Sequence, residues 1–581
     1  MRPWWEKYPE RLNRELASLD EAGFQYIERE GKEDQGCLVL DVVYQDETYT
    51  CSITICYPVE YPSTVFSVIA PEFIDGRHKE PIGGKLCLYH NDGEPWQGDC
   101  AGPVLKEQIP KILAIHRGAD VGDEYETDAG VQITGQINYE RNSVTLLENP
   151  DIPDGVRSGT FLFARIAGQI SVPHPRYVLR QICSEDGVAI SSSPNYLQKL
   201  AHGDEAFRGR WILLDKPPHR FDDHILDEAI CLWPALAKYP DQSDLVALVF
   251  PAEVTRGVFK NHWVFVLRHK EGDAPKPGRK TNRPGRRMRK VDNRVEKITN
   301  VRADMTDADA VYARVSALSP IVDKHVMVVG VGAIGSNIAI QLARAGIRNL
   351  TLADYDYLTS GNSPRWIAGL HAAGYQKLDW LKITIAQNYP ACLVNQLNIH
   401  IGNTGPDTNG SEVSQYIEDA FKAADLIIDA SAALPVTRFI NELSLDYGIP
   451  LVWGTGTAGG YGGVVGQTSG DWRQPCWGCY QRHIADQAIH LPPAEKGAEE
   501  SVQTIGCFHP TFTGSGFDMD EVSLMTTRVA MGILCRGHEG AYPEYDNPIH
   551  VLSLRGVDGH LIPPKWEPYS LPIHPECDCH G

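Results

Sequence analysis

The stretch VMVVGVGAIG at residues 326–335 constrains this chain more than any other segment. Residues 326–329 read as a buried parallel strand, Gly330, Gly332 and Gly335 as a tight turn, and residues 336–345 (SNIAIQLARA) as the opening of a helix. Glycines let the backbone approach a phosphate, and the N–H groups and positive end of the helix attract it. A second apolar strand at 350–353 ends in Asp354-Tyr355-Asp356. That acid lies about 20 residues beyond the turn, the reach expected of a carboxylate holding a ribose hydroxyl. The pattern implies a parallel sheet with crossover helices and a bound nucleotide. It does not separate hydride transfer from adenylation, because a nicotinamide dehydrogenase carries the same signal.

The glycine turn accounts for one domain only. A chain of 581 residues is too long for one core, and three or four domains are expected. Residues 9–19 place Leu12, Leu16 and Leu19 at helical spacing with charges between them. Strand-like runs follow at 37–44, 49–56 and 63–70, then a short helical stretch at 106–117, which is an α+β pattern. Between 119 and 265 there are strand-like segments at 159–166, 211–214, 245–250 and 262–267, but no chemistry-bearing constellation, so this part reads as a mixed α/β spacer or scaffold. The clearest boundary is residues 268–290, where proline and glycine accompany ten Lys/Arg against two acids. That composition resists collapse and reads as a solvated loop, with a basic docking surface for an acidic partner, or a nucleic-acid contact, as the lesser reading.

A net charge of −21 argues against a general nucleic-acid binder, which needs a surplus of Lys and Arg. No apolar run approaches the ~18–20 residues of a membrane span, and the first residues lack a signal core. Fourteen cysteines in a chain without an export signal favour reduced thiols used for metal binding or catalysis. The expected location is the cytoplasm.

Behind the acid come Asn362-Ser-Pro-Arg365, Gly374-Tyr-Gln-Lys377 and the strand end Asp425-Leu-Ile-Ile-Asp429. Alone, Arg365 or Lys377 reads as a surface charge. In this order they resemble the E1-like activating enzymes, the superfamily of ubiquitin-activating and ThiF/MoeB-type proteins. The resemblance implies a Rossmann-like adenylation domain using ATP, with Gly330, Gly332 and Gly335 at the phosphates and Asp354 on the ribose. It further implies Arg365, behind Asn362, and Lys377 on phosphate, and Asp429 supporting Mg2+. The residue types suit the chemistry, since a carboxylate attacking an α-phosphate develops charge that Arg, Lys and a divalent ion neutralise.

Cys476-Trp-Gly-Cys479 and the later Cys577-Asp-Cys579-His580 are two thiol clusters of the kind that hold a tetrahedral structural Zn2+. E1-like proteins of the ThiF/MoeB type carry such a pair. Here the second cluster is C-x-C, which leaves Cys579 and His580 both open as the fourth ligand. Between the clusters, residues 496–518 resemble the crossing loop of E1-like enzymes, and Cys507 is the natural nucleophile there. Cys535, at the end of an apolar helical run, reads as core.

Tyr57-Pro58, Tyr61-Pro62, Ala70-Pro71 and Gly84-Lys-Leu-Cys87, with Trp96 downstream, resemble a ubiquitin-conjugating (E2-like) fold over residues 1–118, with Cys87 as the acceptor thiol. Eukaryotic members place a His-Pro-Asn about eight residues upstream. Here the stretch reads Arg77-His78-Lys79-Glu80-Pro81 without an Asn, so His78, His90, Asn91 or backbone donors would take its place.

The expected organisation is therefore multidomain, with an E2-like domain at 1–118, a middle domain at 119–295 and an E1-like domain at 296–581. That order resembles the bacterial fused E1–E2 proteins of antiphage CBASS operons, which act on the carboxyl terminus of a neighbouring cyclic-nucleotide synthase. The resemblance implies adenylation of a protein C-terminus, a thioester relay from Cys507 to Cys87, transfer to an amine, and a homodimer. Two rivals stay open: a ThiF/MoeB-like activator of a sulfur carrier with Cys87 uninvolved, and a nucleotide-binding scaffold without turnover.

Overall fold

The computed structural model describes every residue except 1–2, 30–36, 46–48, 74–78, 80–83, 89–98, 117–136, 168–174, 202, 204–205, 219–223, 239–243, 256–257, 272–294, 403–409, 494, 496–512 and 581. The chain divides into two units, residues 1–193 with 201–306, and residues 194–200 with 307–581.

In the first unit, helix α1 (Pro9–Ala22) starts on a proline and stops at Gly23, which takes the left-handed conformation at φ 85°. Strands β1 (Gln25–Glu28), β2 (Leu38–Gln45), β3 (Thr50–Tyr57) and β4 (Ser67–Ile69) form an antiparallel meander in chain order. In β3 the buried residues Cys51, Ile53, Ile55 and Tyr57 alternate with more exposed ones, so one face lies on the core. Helix α2 (Ala101–His116) lies alongside α1 and contributes Leu105, Ile109 and Ile112 to that core.

Glu15, one of the charges between the leucines of α1, is fully buried. Its carboxylate accepts from the Tyr57 hydroxyl (3.2 Å), the Tyr61 hydroxyl and the Ala101 N–H (3.0 Å), and pairs with Arg11 at 2.6 Å. The Ser18 hydroxyl accepts from the Gly102 N–H at 3.2 Å. Helix α1 thereby satisfies the first N–H groups of α2.

The second part of this unit holds β5 (Val144–Leu147), β6 (Ser158–Arg165), β7 (Arg176–Ser184), β8 (Ala189–Ser192), β9 (Phe207–Leu213), helix α3 (Asp227–Leu232), β10 (Asp244–Thr255), β11 (Val258–Glu271) and β12 (Val295–Met305). The sheet runs β5-β12-β11-β10-β9-β6-β7-β8, and β5 also pairs with β7, so the strands return on themselves. This part is mainly β, where a mixed α/β region was expected. The long apolar run of β10 has a simple cause. Leu245, Ala247 and Val249 pack with Trp211 and Trp263 on one face, while Val246, Leu248 and Phe250 pack under Leu226 and Leu236 on the other.

Two boundary details differ from expectation. Strand β12 pairs with β11 and β5, so this sheet extends past residue 296. Arg268, the first residue of the basic run, is buried in β11 and paired with Asp244, which also holds Arg210. A buried guanidinium needs such a partner. The rest of the basic run, from 272 onward, lies outside the described residues.

The second unit contains β13 (His325–Val329), α4 (Ala333–Ala345), β14 (Asn349–Asp354), α5 (Lys377–Asn388), β15 (Leu393–Asn398), α6 (Gly410–Lys422), β16 (Leu426–Asp429), α7 (Leu434–Tyr447), β17 (Leu451–Gly456), β18 (Gly462–Thr468), α8 (Trp477–Ala485), α9 (Gly516–Leu534), β19 (Ile549–Arg555) and β20 (Leu561–Tyr569). The sheet order is β15-β14-β13-β16-β17-β18-β19-β20, parallel through β17 and antiparallel beyond. The chain leaves β13 for β14 and β15 on one side and returns to β16 and β17 on the other. The strand order therefore reverses at β13/β16, and in such sheets ligands bind beyond the carboxyl ends of the strands at that point. Cys535 is buried against this core, as its apolar run implied. Among the described residues no helix is long and apolar enough to cross a membrane.

Candidate functional site

The glycine turn closes the carboxyl end of β13, and its three glycines serve different ends. Gly330 sits at φ 81°, and a Cβ there would come within 2.5 Å of the Ser431 Cα. At Gly335 a Cβ would lie 1.9 Å from the Gly330 carbonyl oxygen, so α4 packs directly on the turn. A Cβ at Gly332 would meet nothing within 4 Å. Gly332 caps α4 without a side-chain hydrogen bond. The open side of the turn is thus the N-terminus of a 13-residue helix, where an anion is favoured.

Around this opening the ordered residues converge. Asp354 ends β14, and its Oδ2 accepts from the Val331 N–H at 2.8 Å. Its Oδ1 accepts from the N–H groups of Tyr355 and Asp356, each at 2.8 Å. These bonds fix the carboxylate at the rim of the turn and leave it further acceptor capacity for a hydroxyl.

Lys377 is the first residue of α5. Its stem is buried, and its ammonium lies 2.7 Å from Asp356 Oδ2. Asp356 is more than half exposed, so this ion pair holds the lysine where solvent reaches it.

Arg365 stands in a turn braced from two sides. Asn362 Oδ1 accepts from the Thr359 N–H (2.7 Å) and hydroxyl (3.0 Å), so Asn362 shapes the turn that presents Arg365. The Trp366 indole N–H donates to the Val331 carbonyl at 2.8 Å, which ties this turn to the glycine turn. Arg365 is partly buried and burial lowers its pKa from the ordinary value. Its Nη1 donates to the Gly361 carbonyl at 3.2 Å, and no carboxylate pairs with it among the described residues. A partly buried cation of that kind suits an anionic ligand.

Asp429 ends β16 and is buried. Its Oδ1 accepts from the Ser431 N–H at 2.9 Å and its Oδ2 from the Thr437 hydroxyl. Burial pushes this carboxyl up from its usual range, against those two hydrogen bonds. Three residues on, Ala432 takes φ 54°, a left-handed conformation that costs an alanine roughly 1–2 kcal/mol. The backbone after Asp429 is strained where it faces Gly330, as functional turns often are. A single carboxylate suits Mg2+, which keeps waters and shares phosphate oxygens.

Cys507 lies outside the described residues, as do His78, His90, Asn91 and Trp96. The residues flanking the Cys507 segment are described, and they meet at one turn. Glu495 N–H donates to the Ala458 carbonyl at 3.1 Å. The Thr513 hydroxyl donates to Glu495 Oε2 at 3.2 Å and accepts from the Gly459 N–H at 3.2 Å. Gly516, at the start of α9, lies against Pro364 and Arg365. The two flanks thus meet at the turn holding Ala458 and Gly459, and the later one reaches Arg365 through Gly516.

Cys87 is exposed between the buried Leu86 and Leu88. Leu86 N–H donates to the Val68 carbonyl at 2.8 Å, and Ala70 N–H donates to the Gly84 carbonyl at 2.7 Å. Gly84 at φ 67° approaches Pro71 so closely that a Cβ would lie 2.7 Å from its Cα. The thiol is thus presented outward from backbone held against β4.

The two thiol clusters also meet. Cys476 caps α8, and Cys476, Cys479 and Cys577 are buried together with Cys579 beside them. The Cys476 and Cys577 sulfurs lie 3.7 Å apart. That is far beyond a disulfide and near the roughly 3.8 Å edge of a tetrahedron of ~2.3 Å Zn–S bonds. Burial pushes the Cys476 thiol up to about 11, so a cation is needed to hold it as thiolate. The donor set fits zinc.

Sequence reasoning assigned no role to Trp366, Asp356 or the Glu495–Thr513 pair. Their contribution comes from contacts made across the fold, and only the position of Trp366 directly after Arg365 hinted at it.

Residues 309–531 match the model of the ThiF family. The whole chain is similar to protein y4oA of Sinorhizobium fredii, 26% identical over 607 residues, covering 99% of this chain and 97% of that protein. It is 28% identical over 190 residues to the sulfur carrier protein ThiS adenylyltransferase of Escherichia coli, covering 33% of this chain and 66% of that protein. It is 27% identical over 172 residues to the molybdopterin-synthase adenylyltransferase of Escherichia coli, covering 29% of this chain and 62% of that protein. The carboxyl-terminal part of the chain thus carries a ThiF/MoeB-like, Rossmann-type domain of the E1 adenylation kind.

Proposed function

We propose that this protein activates the carboxyl terminus of a protein with ATP, carries the acyl group as a thioester first on Cys507 and then on Cys87, and delivers it to an amine. The observation that carries the adenylation step is the convergence of Gly332, Asp354, Arg365, Lys377 and Asp429 beyond the β13, β14 and β16 strand ends. The partly buried Arg365, without a carboxylate partner among the described residues, is the strongest single element of it.

In the first step a substrate carboxylate oxygen attacks the α-phosphorus of ATP, the α–β phosphoanhydride bond breaks, and pyrophosphate leaves. The α4 N-terminus receives the phosphates and Asp354 holds the ribose. Arg365 and Lys377 neutralise charge on the phosphate oxygens, with Lys377 exchanging Asp356 for phosphate. Asp429 would hold Mg2+, which when bound supplies Lewis-acid neutralisation of the leaving pyrophosphate. The Cys507 thiolate then attacks the acyl carbon and AMP leaves. Attack by the Cys87 thiolate on that thioester releases Cys507. Finally an amine attacks, the Cys87 thiolate leaves, and the nitrogen loses a proton. By resemblance the acyl donor is a cyclic-nucleotide synthase in an antiphage operon, residues 1–118 are E2-like and the enzyme is a homodimer. The zinc group has a structural role, fastening residues 577–580 to α8.

The test is twofold. Exchange of labelled pyrophosphate into ATP that depends on an added protein carboxyl terminus supports adenylation, and its absence with the candidate synthases favours a nucleotide-binding scaffold. Reductant-sensitive adducts that vanish stepwise with Cys507→Ala and Cys87→Ala support the relay. Adducts that persist in the double variant overturn it. The similarity to the two Escherichia coli adenylyltransferases favours a second reading, activation of a sulfur carrier with Cys87 uninvolved. Conjugation lost in Cys87→Ala while pyrophosphate exchange persists rules that out.

A further inference from the structure

We propose that the zinc is held by three cysteines and one histidine, with Nε2 of His580 as the fourth ligand and Cys579 standing outside the coordination shell. The donor atoms of Cys476, Cys479, Cys577 and His580 all lie within 4.8 Å of one another. Four ligands on one tetrahedral ion require that mutual closeness. The imidazole is prepared for the role. Its Nδ1 lies 2.7 Å from the Trp472 carbonyl oxygen, which fixes the ring proton on Nδ1. Its Nε2 is buried and has no hydrogen-bond partner. A neutral imidazole with its donor nitrogen tied to a backbone carbonyl and its lone pair aimed into a thiol cluster is the arrangement of a ligating histidine.

Cys579 lies beside these donors and is not one of the mutually close set. Its sulfur receives the Asn441 side-chain N–H at 3.6 Å, and Asn441 is itself fixed by accepting from the Trp477 N–H at 3.0 Å. Charge points the same way. Four thiolates on Zn2+ leave two net negative charges in a largely buried site, whereas three thiolates and an imidazole leave one, and burying less charge costs less. This inference stands apart from the acyl relay, because its test reads the metal and not turnover.

Cobalt(II) exchanged for zinc in the full-length protein reports the ligand set by its spectrum, since each thiolate adds sulfur-to-cobalt charge-transfer absorption and a nitrogen ligand shifts the visible bands to shorter wavelength. The expected wild-type spectrum has about three quarters of the charge-transfer intensity of a four-thiolate site. Cys579→Ser is expected to leave both the spectrum and a one-to-one metal content unchanged. His580→Ala is expected to move the visible bands or to loosen the metal. A wild-type four-thiolate spectrum, a quarter of the intensity lost in Cys579→Ser, an unchanged His580→Ala spectrum, or a protein that carries no zinc would each overturn the assignment.

Discussion

The Trp366 indole N–H donates to the Val331 carbonyl at 2.8 Å, so the turn carrying Arg365 is bonded to the turn that carries the glycines. The same Val331 offers its N–H to Asp354. One residue of the glycine turn therefore registers both the acid and the cation flanking the opening. Trp366→Phe keeps the ring volume close and deletes the donor. It leaves the Val331 carbonyl unpaired in a buried place, which costs about 1–3 kcal/mol of stability. The rate of carboxyl-dependent pyrophosphate exchange is expected to fall roughly tenfold or more, equivalent to about 1.4 kcal/mol. A melting shift with an unchanged exchange rate would reduce Trp366 to packing.

Gly332 and Gly335 are expected to respond oppositely to alanine. A methyl at Gly335 meets the Gly330 carbonyl at 1.9 Å, a backbone clash that cannot relax cheaply, so Gly335→Ala should lose about 2–3 kcal/mol or more. A methyl at Gly332 meets nothing within 4 Å, and the change of cap costs about 1 kcal/mol or less. Gly332→Ala should instead weaken ATP binding by roughly tenfold, because the methyl stands where a phosphate approaches. Paired melting curves and nucleotide titrations separate the two, and equal effects on stability would contradict this division.

Which parts of this were legible in the sequence follows from the range of the interactions. The strand at 325–329 and the turn through Gly330 and Gly332 are set by local periodicity and backbone conformation and lie within a residue of the sequence pattern, while the helix begins at Ala333, three residues before the expected Ser336, and takes in Gly335. Asp354, Lys377 and Asp429 lie at element ends and Arg365 in a turn, and it was their order, through the resemblance, that singled them out. Trp366 looked like an ordinary aromatic because its partner is 35 residues away. Glu15 looked like a solvated helix charge because its partners, Tyr57, Tyr61 and Ala101, are 42 to 86 residues away. The closed middle sheet was illegible for the same reason, since β5 finds β12 about 160 residues later, as the Leu147 carbonyl shows by accepting from Thr306.

Glu15 gives a test confined to the amino-terminal core. Its carboxylate serves two tyrosine hydroxyls, an arginine and the first N–H of α2. Glu15→Ala strands all of them, and removing one partner of a buried charged group costs about 3–5 kcal/mol. Glu15→Gln keeps an acceptor at the helix end and should cost less. Urea unfolding of the full chain should show this loss in the transition of the amino-terminal region, with pyrophosphate exchange retained. A change below ~0.5 kcal/mol for Glu15→Ala would mean that the network contributes nothing net.

Asp429 ties stability to pH with a sign that its burial dictates. Burial raises its carboxyl above the ordinary range, so the folded protein holds this proton more tightly than the unfolded chain does. Between the ordinary carboxylate value and the raised one, the folded state binds more protons, and stability falls as pH rises. Ionising this buried carboxyl therefore comes at a cost to the fold. Asn at this position still accepts from the Ser431 N–H and can donate to the Thr437 oxygen, so Asp429→Asn removes the buried charge without orphaning either neighbour. The variant should melt higher than wild type on the alkaline side of the raised value, and the difference should shrink as pH is lowered toward the ordinary carboxylate value. Its pyrophosphate exchange should fall by roughly 10²-fold or more, as expected when a charge-stabilising group is lost from a transition state. A destabilised Asp429→Asn on that alkaline side would show that the carboxylate serves the fold, and full exchange activity would remove it from the site.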